Sequence, residues 1–296
     1  MPQKILVVGA GFLGSKIANE FSYLKNSVIK TNLTSVQDGS HLLDITNKKM
    51  VEDCFEKIKP DIVVNCAGST DIDFLEKNSQ LAYAVNGQSV KNLAVTSQKF
   101  NSRFIQISTD GVFDGIYGNY SETDIPNPVN VYAKSKLIGE EETGKNCQNY
   151  TIIRTNFYGH HKSGRFLFNN ILNKLKAGVK IIGFDDIFFT PLEISNLSQL
   201  VVDVALSEYI GILNLSSDYP ISKYQFCLNI AEILGFDTKL IRRGSIDEMN
   251  FAAKRPKNTS LVNKRSKQII RHEIVSLTDW LERYKKQLND SFSHQP

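Results

Sequence analysis

The chain has 296 residues, of which 41% are hydrophobic and 22% charged, and 35 basic against 31 acidic residues leave a net charge of +4. That length buries a full core in one large domain or two linked ones, and the balance is that of a soluble globular protein. A charge excess this small gives no reason for a nucleic-acid partner, and no apolar run is long enough to cross a bilayer. Cys54, Cys66, Cys147 and Cys227 are scattered and form no CxxC pair, so neither a zinc site nor a disulfide framework is indicated. With no signal-peptide pattern at its start, the sequence reads as a reduced cytoplasmic enzyme that carries no metal.

Lys4 to Val8 (KILVV) is a short apolar run followed at once by GAGFLG and then by a helical pattern from Ser15 to Phe21. Strand, glycine turn and helix is the context that makes GxGxxG informative. Gly9 permits a tight turn, Gly11 lets backbone approach a pyrophosphate, and Gly14 allows close helix packing. The N–H groups at Phe12 and Leu13 open the helix towards the phosphates. A second strand is expected at Val28 to Lys30, and Thr31 and Asn32 after it include no acidic residue for an adenine ribose. This favours NADP over NAD, with Lys30 either attracting a 2′-phosphate or lying on the surface. Asp44 and Ile45 either reach the adenine or, in the case of Asp44, cap a helix starting near Asn47.

Asp61 to Cys66 (DIVVNC) has the near-continuous apolar character of a strand in a parallel sheet. Ala67 and Gly68 then leave room for a cofactor or simply turn the chain. Asn78 to Gln98 reads as a crossover helix in which Asn86 either ties neighbouring backbone together or faces solvent. Phe104 to Ser108 is the next strand, running into Thr109 and Asp110. A polar loop follows from Gly115 to Asn130, and Asn130 is a fitting N-cap for the helix after it. On that helix Tyr132 and Lys136, four residues apart, share one face. A phenol beside an ammonium suits proton donation to a carbonyl, although a solvated face carries the same pair.

Tyr150 to Arg154 is a further strand, and the strand–helix rhythm then loosens. Helices are expected at Phe166 to Lys176, Ile194 to Ser207, Tyr224 to Leu234 and Ser276 to Leu288. Short strands are expected at Val179 to Ile182, Ile212 to Leu215 and Lys239 to Ile241, and a polar tail from Asp290. The fold class is therefore α/β: a Rossmann-type doubly wound parallel sheet over residues 1–157, then a smaller mixed α/β lobe over 158–296 that returns in part to the first domain. His160 and His161 point apart if the chain is extended and have no acidic cluster beside them, which suits loop or surface positions.

GAGFLG, DIVVNCAG, ISTDGVFDG, YSETDIPNPVNVYAKSKLIGEE, IIRTNFYG, GFDDIFFTP and KRPKNTSL together resemble the extended short-chain dehydrogenase/reductase family, and within it the dTDP-4-dehydrorhamnose reductase (RmlD-like) branch. The resemblance implies an NAD(P)H-dependent reduction of a nucleotide-linked 4-keto-6-deoxy sugar. Thr109 matches the active-site hydroxyl, with Ser108 as a substitute, Tyr132 the catalytic tyrosine, and Lys136 the lysine that binds the nicotinamide ribose. Asp110, Val112 and Phe113 would lie near the active crevice, with Phe166 and the Asp185 to Pro191 loop reaching in from the second, substrate-binding lobe. Arg255 either pairs with nucleotide phosphates or is solvated, and Lys254 and Lys257 are surface charges. A homodimer is admitted.

The sequence departs from the family at Val8, where a GxxGxxG spacing would place its first glycine, and at Gly111, where relatives carry an aromatic residue. It also lacks a Gln-then-Gly pattern in DDIFFTP, where Phe188 and Phe189 close the pocket or simply pack. A sugar-nucleotide epimerase or dehydratase would share the Tyr/Lys pair, and a non-catalytic regulatory subunit would share the nucleotide fold.

Overall fold

The structure, a computed structural model, describes residues 2–34, 40–161 and 166–293. In chain order the first half contains β1 (Lys4–Val8), α1 (Phe12–Tyr23), β2 (Ser27–Asn32), β3 (His41–Leu42), α2 (Lys48–Ile58), β4 (Ile62–Asn65), α3 (Ile72–Lys77) and α4 (Ser79–Ala82). A π-helical turn (Tyr83–Gln88), α5 (Ser89–Lys99), β5 (Arg103–Ile107), α6 (Val131–Asn146) and β6 (Tyr150–Thr155) complete it. The second half contains β7 (Phe157–Tyr158), α7 (Leu167–Lys176), β8 (Ile181–Phe184), β9 (Phe188–Phe189), β10 (Leu192–Glu193) and α8 (Ile194–Ala205). After these come β11 (Gly211–Leu215), β12 (Ile221–Ser222), α9 (Lys223–Leu234), β13 (Ile241–Gly244) and α10 (Leu277–Ser293). No described helix is long and apolar enough to cross a membrane.

Seven parallel strands form the main sheet in the order β11-β6-β5-β4-β1-β2-β3. The chain winds one way from β1 to β3 and then crosses to β4 on the other side, which opens a crevice at the carboxyl ends of β1 and β4. Alternate side chains of β1 feed opposite layers, as strand geometry requires. Ile5 and Val7 pack with α1 and α8, while Leu6 and Val8 pack with Val51, Phe55 and Leu93 of α2 and α5. Helix α8 and strand β11, from beyond residue 157, thus belong to this sheet's layers.

Two expectations fail in an instructive way. The crossover helix is not continuous from Asn78 to Gln98, because the π turn interrupts it. The turn carries Asn86, whose Oδ1 accepts from Ser69 N (2.8 Å) and whose Nδ2 donates to Ser69 O (2.9 Å) and Ser135 Oγ (3.1 Å). Helix α6 rests directly on it: a Cβ at Gly139 would lie 2.5 Å from Asn86 O. The extra residue of the π turn is what aims Asn86 back at the Ala67–Ser69 loop, a common use of such bulges. Further on, a strand expected from Lys239 begins only at Ile241. Asp237 accepts a hydrogen bond from Lys239 N at 2.9 Å and holds Thr238–Leu240 in a 3-10 turn.

The smaller lobe has its own core of Phe168, Leu172, Phe189, Phe226, Ile230 and Leu281, framed by the pairs β8–β13 and β9–β12. A strap at 257–262 stitches it to the first half. Phe188 N donates to Lys257 O (2.7 Å), Asn258 N to Gly115 O (3.0 Å) and Tyr120 N to Ser260 O (2.8 Å). Helix α10 continues through Ser293, past the expected tail start at Asp290, and residues 294–296 lie outside the described ones.

Candidate active site

The glycine turn is built for close backbone approach. Gly9 has φ +83° and a Cβ there would sit 2.5 Å from Ala67 N, while a Cβ at Gly14 would sit 2.2 Å from Gly9 O. Gly11 differs, since a Cβ there would meet nothing within 4 Å. That empty space faces the start of α1, where Gly11 is the N-cap, no side chain caps the helix and no acidic residue stands in the first turn. Among the described residues no acceptor takes the amides of Phe12, Leu13 and Gly14, and with the positive end of the helix dipole they fit a pyrophosphate. Replacing Gly9 by Ala forces both the Ala67 contact and a positive φ. We expect a stability loss of at least about 1–2 kcal/mol and a dinucleotide affinity reduced at least about tenfold, measured by thermal melting and by titration with NADPH.

Ala67 and Gly68 line the neighbouring strand end. Ala67 N donates to Asn65 Oδ1 (3.1 Å), and Gly68 lies against the Asn86 amide. Asp44 does not cap α2: Asn47 does so, accepting from Met50 N at 3.2 Å, and Asp44 Oδ1 accepts from Thr46 N and Oγ1 at 2.9 and 2.7 Å. Ile45 is buried, and its carbonyl accepts from Asn92 Nδ2 at 2.9 Å.

Helix α6 starts as expected, with Asn130 Oδ1 accepting from Ala133 N at 2.9 Å. Its first turns bring Tyr132 and Lys136 to the carboxyl end of β5. The Tyr132 phenol lies close enough to the Thr109 hydroxyl for that group to favour the phenolate, but burial, aided by the Asp110 charge, pushes its pKa up to about 12. Thr109 Oγ1 also accepts from Gly111 N (3.1 Å) and donates to Asp110 Oδ1 (3.1 Å). Lys136 Nζ donates to Ile107 O at 2.7 Å. Burial pulls the lysine down to about 8, against the opposing pull of Glu140 and Cys66. Asp110 is buried, and its oxygens accept from Asn156 Nδ2 (3.2 and 3.1 Å) and Thr259 Oγ1 (2.7 Å) as well as from Thr109. Desolvation raises its pKa despite these bonds.

Beneath these groups lies a buried ion pair that motif reading missed. Arg154 Nε donates to both oxygens of Glu140 at 3.1 Å and Nη2 donates to Oε2 at 2.7 Å, with 1% and 4% of the two residues exposed. The sequence signal was Glu140 itself, four and eight residues beyond Lys136 and Tyr132 and so on their helix face. Ser108, expected as a substitute for Thr109, turns its hydroxyl the other way and donates to Glu140 Oε1 at 2.5 Å. With that acceptor available in the interior, the hydroxyl is tied to the ion pair and not to the crevice.

Other expected contacts are also displaced. Val112 and Phe113 are fully buried and pack with Tyr120, Leu137 and Leu261, the Phe113 and Tyr120 rings stacked at 4.2 Å. Hydrophobic burial turns them into the interior. Phe166 contacts Phe12 (4.4 Å between centroids) and His161 (5.3 Å), which places it over the glycine turn. Arg255 is bound to Asp73 at 2.7 Å and lies 4.8 Å from the Phe251 ring, a partly buried pairing that aims one edge of the guanidinium at Asp73. Lys257 bridges Asp186 (3.0 Å) and Asp247 (2.7 Å). Phe189 is buried against Phe226, whereas Phe188 stays exposed. His160 lies beside Tyr284, and among the described residues no group of three or more His, Cys, Asp or Glu is placed to hold a metal.

Comparison with known proteins finds relatives over most of the chain. Over 226 residues the chain is 31% identical to a probable low-salt glycan biosynthesis reductase of Haloferax volcanii, covering 75% of each. The crystal structure of a dTDP-4-dehydrorhamnose reductase ortholog from Clostridium acetobutylicum superposes with a TM-score of 0.87 at 31% identity, covering 97% of this chain and 99% of that one. The dTDP-4-dehydrorhamnose reductase of Bacillus anthracis, solved in complex with NADP, superposes with a TM-score of 0.88 at 26% identity over 97% of this chain and all of the other. The model of the RmlD substrate binding domain matches residues 3–292, so the chain belongs to that family.

Proposed function

We propose that this protein uses NADPH or NADH to reduce the 4-keto group of a 6-deoxy sugar linked to a nucleoside diphosphate, in the manner of a dTDP-4-dehydrorhamnose reductase. One observation carries the reading: the Tyr132 phenol beside the Thr109 hydroxyl and the Lys136 ammonium on Ile107 O lie at the same carboxyl end of the sheet as the open cradle at Gly11. The bound cofactor supplies hydride to the carbonyl carbon. Tyr132, pushed up to about 12, holds its proton at neutral pH and gives it to the carbonyl oxygen. Thr109 positions that oxygen, and Lys136 leaves Ile107 O for the nicotinamide ribose and stabilises the phenolate that remains. The segment 158–296 supplies the sugar-nucleotide side of the cleft. NADP is favoured over NAD because Thr31 and Asn32 after Lys30 offer no carboxylate to the ribose, in line with the NADP held by the Bacillus anthracis relative. Asp110 is bound by Thr109, Asn156 and Thr259, with no glutamate among these partners to complete a dehydratase acid/base pair.

The test incubates the purified protein with NADPH or NADH and a panel of nucleotide-linked 4-keto-6-deoxy sugars, following cofactor oxidation and sugar stereochemistry separately. Stoichiometric reduction is expected; redox-neutral isomerisation would replace this reading with an epimerase.

A pH profile probes Lys136 apart from Tyr132. The kcat/KM for the nicotinamide cofactor reports groups of the free enzyme. Because burial sets Lys136 near 8, the ammonium is present below that pH and lost above it. We expect kcat/KM to fall about tenfold per pH unit above pH 8. Lys136→Arg, whose charge does not titrate there, should lose this alkaline limb. An unchanged limb in that variant would remove Lys136 as its source.

A further inference from the structure

Lys223 is the first residue of α9, and no motif pointed to it. Its backbone is fixed: β12 pairs antiparallel with β9, and Lys223 N donates to Ile187 O at 2.9 Å. The side chain lies over the face of Phe189, with Nζ 3.2 Å from the ring centroid. Phe189 is itself 2% exposed and wedged against Phe226 at 5.5 Å, so this ammonium stands on a rigid surface. Burial draws its pKa down to about 7, partly offset by Asp110 and Cys227.

An ammonium carries three donors. No hydrogen-bond acceptor or ion-pair partner engages Lys223 Nζ among the described residues. The carboxylate whose charge reaches it, Asp110, has its oxygens taken by Thr109, Asn156 and Thr259. Nearby cations differ: Lys136 is held by Ile107 O, Arg255 by Asp73, and Lys257 by Asp186 and Asp247. Thr259 joins the two places, its N donating to Phe188 O at 3.0 Å and its hydroxyl to Asp110 at 2.7 Å, so the β9 segment beneath Lys223 lies beside Asp110 and Thr109 at the reacting end of the cleft. Lys223 is only partly buried, so these unspent donors are open to an acceptor that enters from outside the protein, and such an acceptor would favour the charged ammonium.

We propose that Lys223 is a specificity residue of the sugar subsite, donating to an oxygen substituent on the sugar ring, a hydroxyl or a carboxylate, and rejecting an amino substituent at that carbon. The proposal rests on the sugar-nucleotide reading above. A deoxy carbon would leave the donors unpaired, and a protonated amine would place two like charges together on the Phe189 face.

The test uses full-length wild type, Lys223→Met and Lys223→Arg, each loaded with NADPH. Calorimetry measures the affinity of thymidine diphosphate alone and of thymidine diphosphate sugars that differ at one ring carbon, as hydroxyl, deoxy, amino or carboxylate. KM and kcat are measured for those that turn over. At one carbon, Lys223→Met should weaken the hydroxyl or carboxylate sugar about 10- to 100-fold, the value of a hydrogen bond to a charged group. It should close the gap to the deoxy and amino analogues, leave thymidine diphosphate unchanged as a folding control, and act on KM more than on kcat. Lys223→Arg should restore most of the preference. Which of hydroxyl and carboxylate loses more identifies the acceptor. An unchanged preference in Lys223→Met, or an equal loss for bare thymidine diphosphate, would overturn the proposal. Wild type that binds these sugars without oxidising cofactor would sink the reductase reading, while the binding preferences still decide the role of Lys223. Wild type that binds none of the sugars would overturn both.

Discussion

Tyr132→Phe should bind NADPH as well as the wild type and lose most turnover. The phenylalanine ring keeps the packing of the first turn of α6 and removes only the hydroxyl that lies beside Thr109. Loss of a positioned proton donor lowers rate by about 10²–10⁴, or roughly 3–5 kcal/mol of transition-state stabilisation. The measurement is kcat with the preferred 4-keto sugar, beside cofactor affinity from fluorescence titration. Cofactor affinity should change by less than about threefold, under 1 kcal/mol, since the glycine cradle lies on a different element. Near-normal turnover by the purified variant would end the case for Tyr132 as the acid. Thr109→Ala offers a finer reading, because it leaves the phenol and removes the group that positions it.

Glu140→Ala should be the most destabilising single change near the site. It leaves Arg154, 1% exposed and bound through Nε and Nη2 to that carboxylate, as a buried cation without its counter-charge. Breaking such a pair costs about 3–5 kcal/mol, which for a chain of this size lowers Tm by roughly 5–8 °C. A melting temperature within about 1 °C of the wild type would show that the pair is dispensable. Catalysis provides an independent readout. Glu140 holds the Lys136 pKa up against burial, so its removal should shift the alkaline limb of kcat/KM to lower pH. Ser108 also loses its acceptor, which frees the segment leading into Thr109.

Much of the architecture and part of the site were legible in local windows. KILVV and DIVVNC announce buried parallel strands by their unbroken apolar character, and they form the adjacent pair β1 and β4. The glycine turn, the Asn130 cap and the Tyr132–Lys136 spacing are likewise short-range, because backbone freedom, capping and helical period act within a few residues. Asn86 was readable as a backbone tie, but not the π turn that aims it.

Only the assembled fold decided which side chains face the cleft. Val112 and Phe113 read as crevice residues beside Thr109, and apolar burial turned them into the core. Arg255 read as a phosphate ligand, and Asp73, 182 residues away in the chain, holds it. Ser108 and Thr109 are adjacent hydroxyls with different fates, one bonded to a buried ion pair and the other to Asp110 beside Tyr132. Lys223 carried no signal, because its place over Phe189 depends on two strand segments meeting. The sequence by itself determined the strand order's raw material, the glycine turn and the Tyr–Lys pair. Tertiary structure decided the partners, because desolvation and long-range hydrogen bonding act between segments far apart in the chain, and no local period records them.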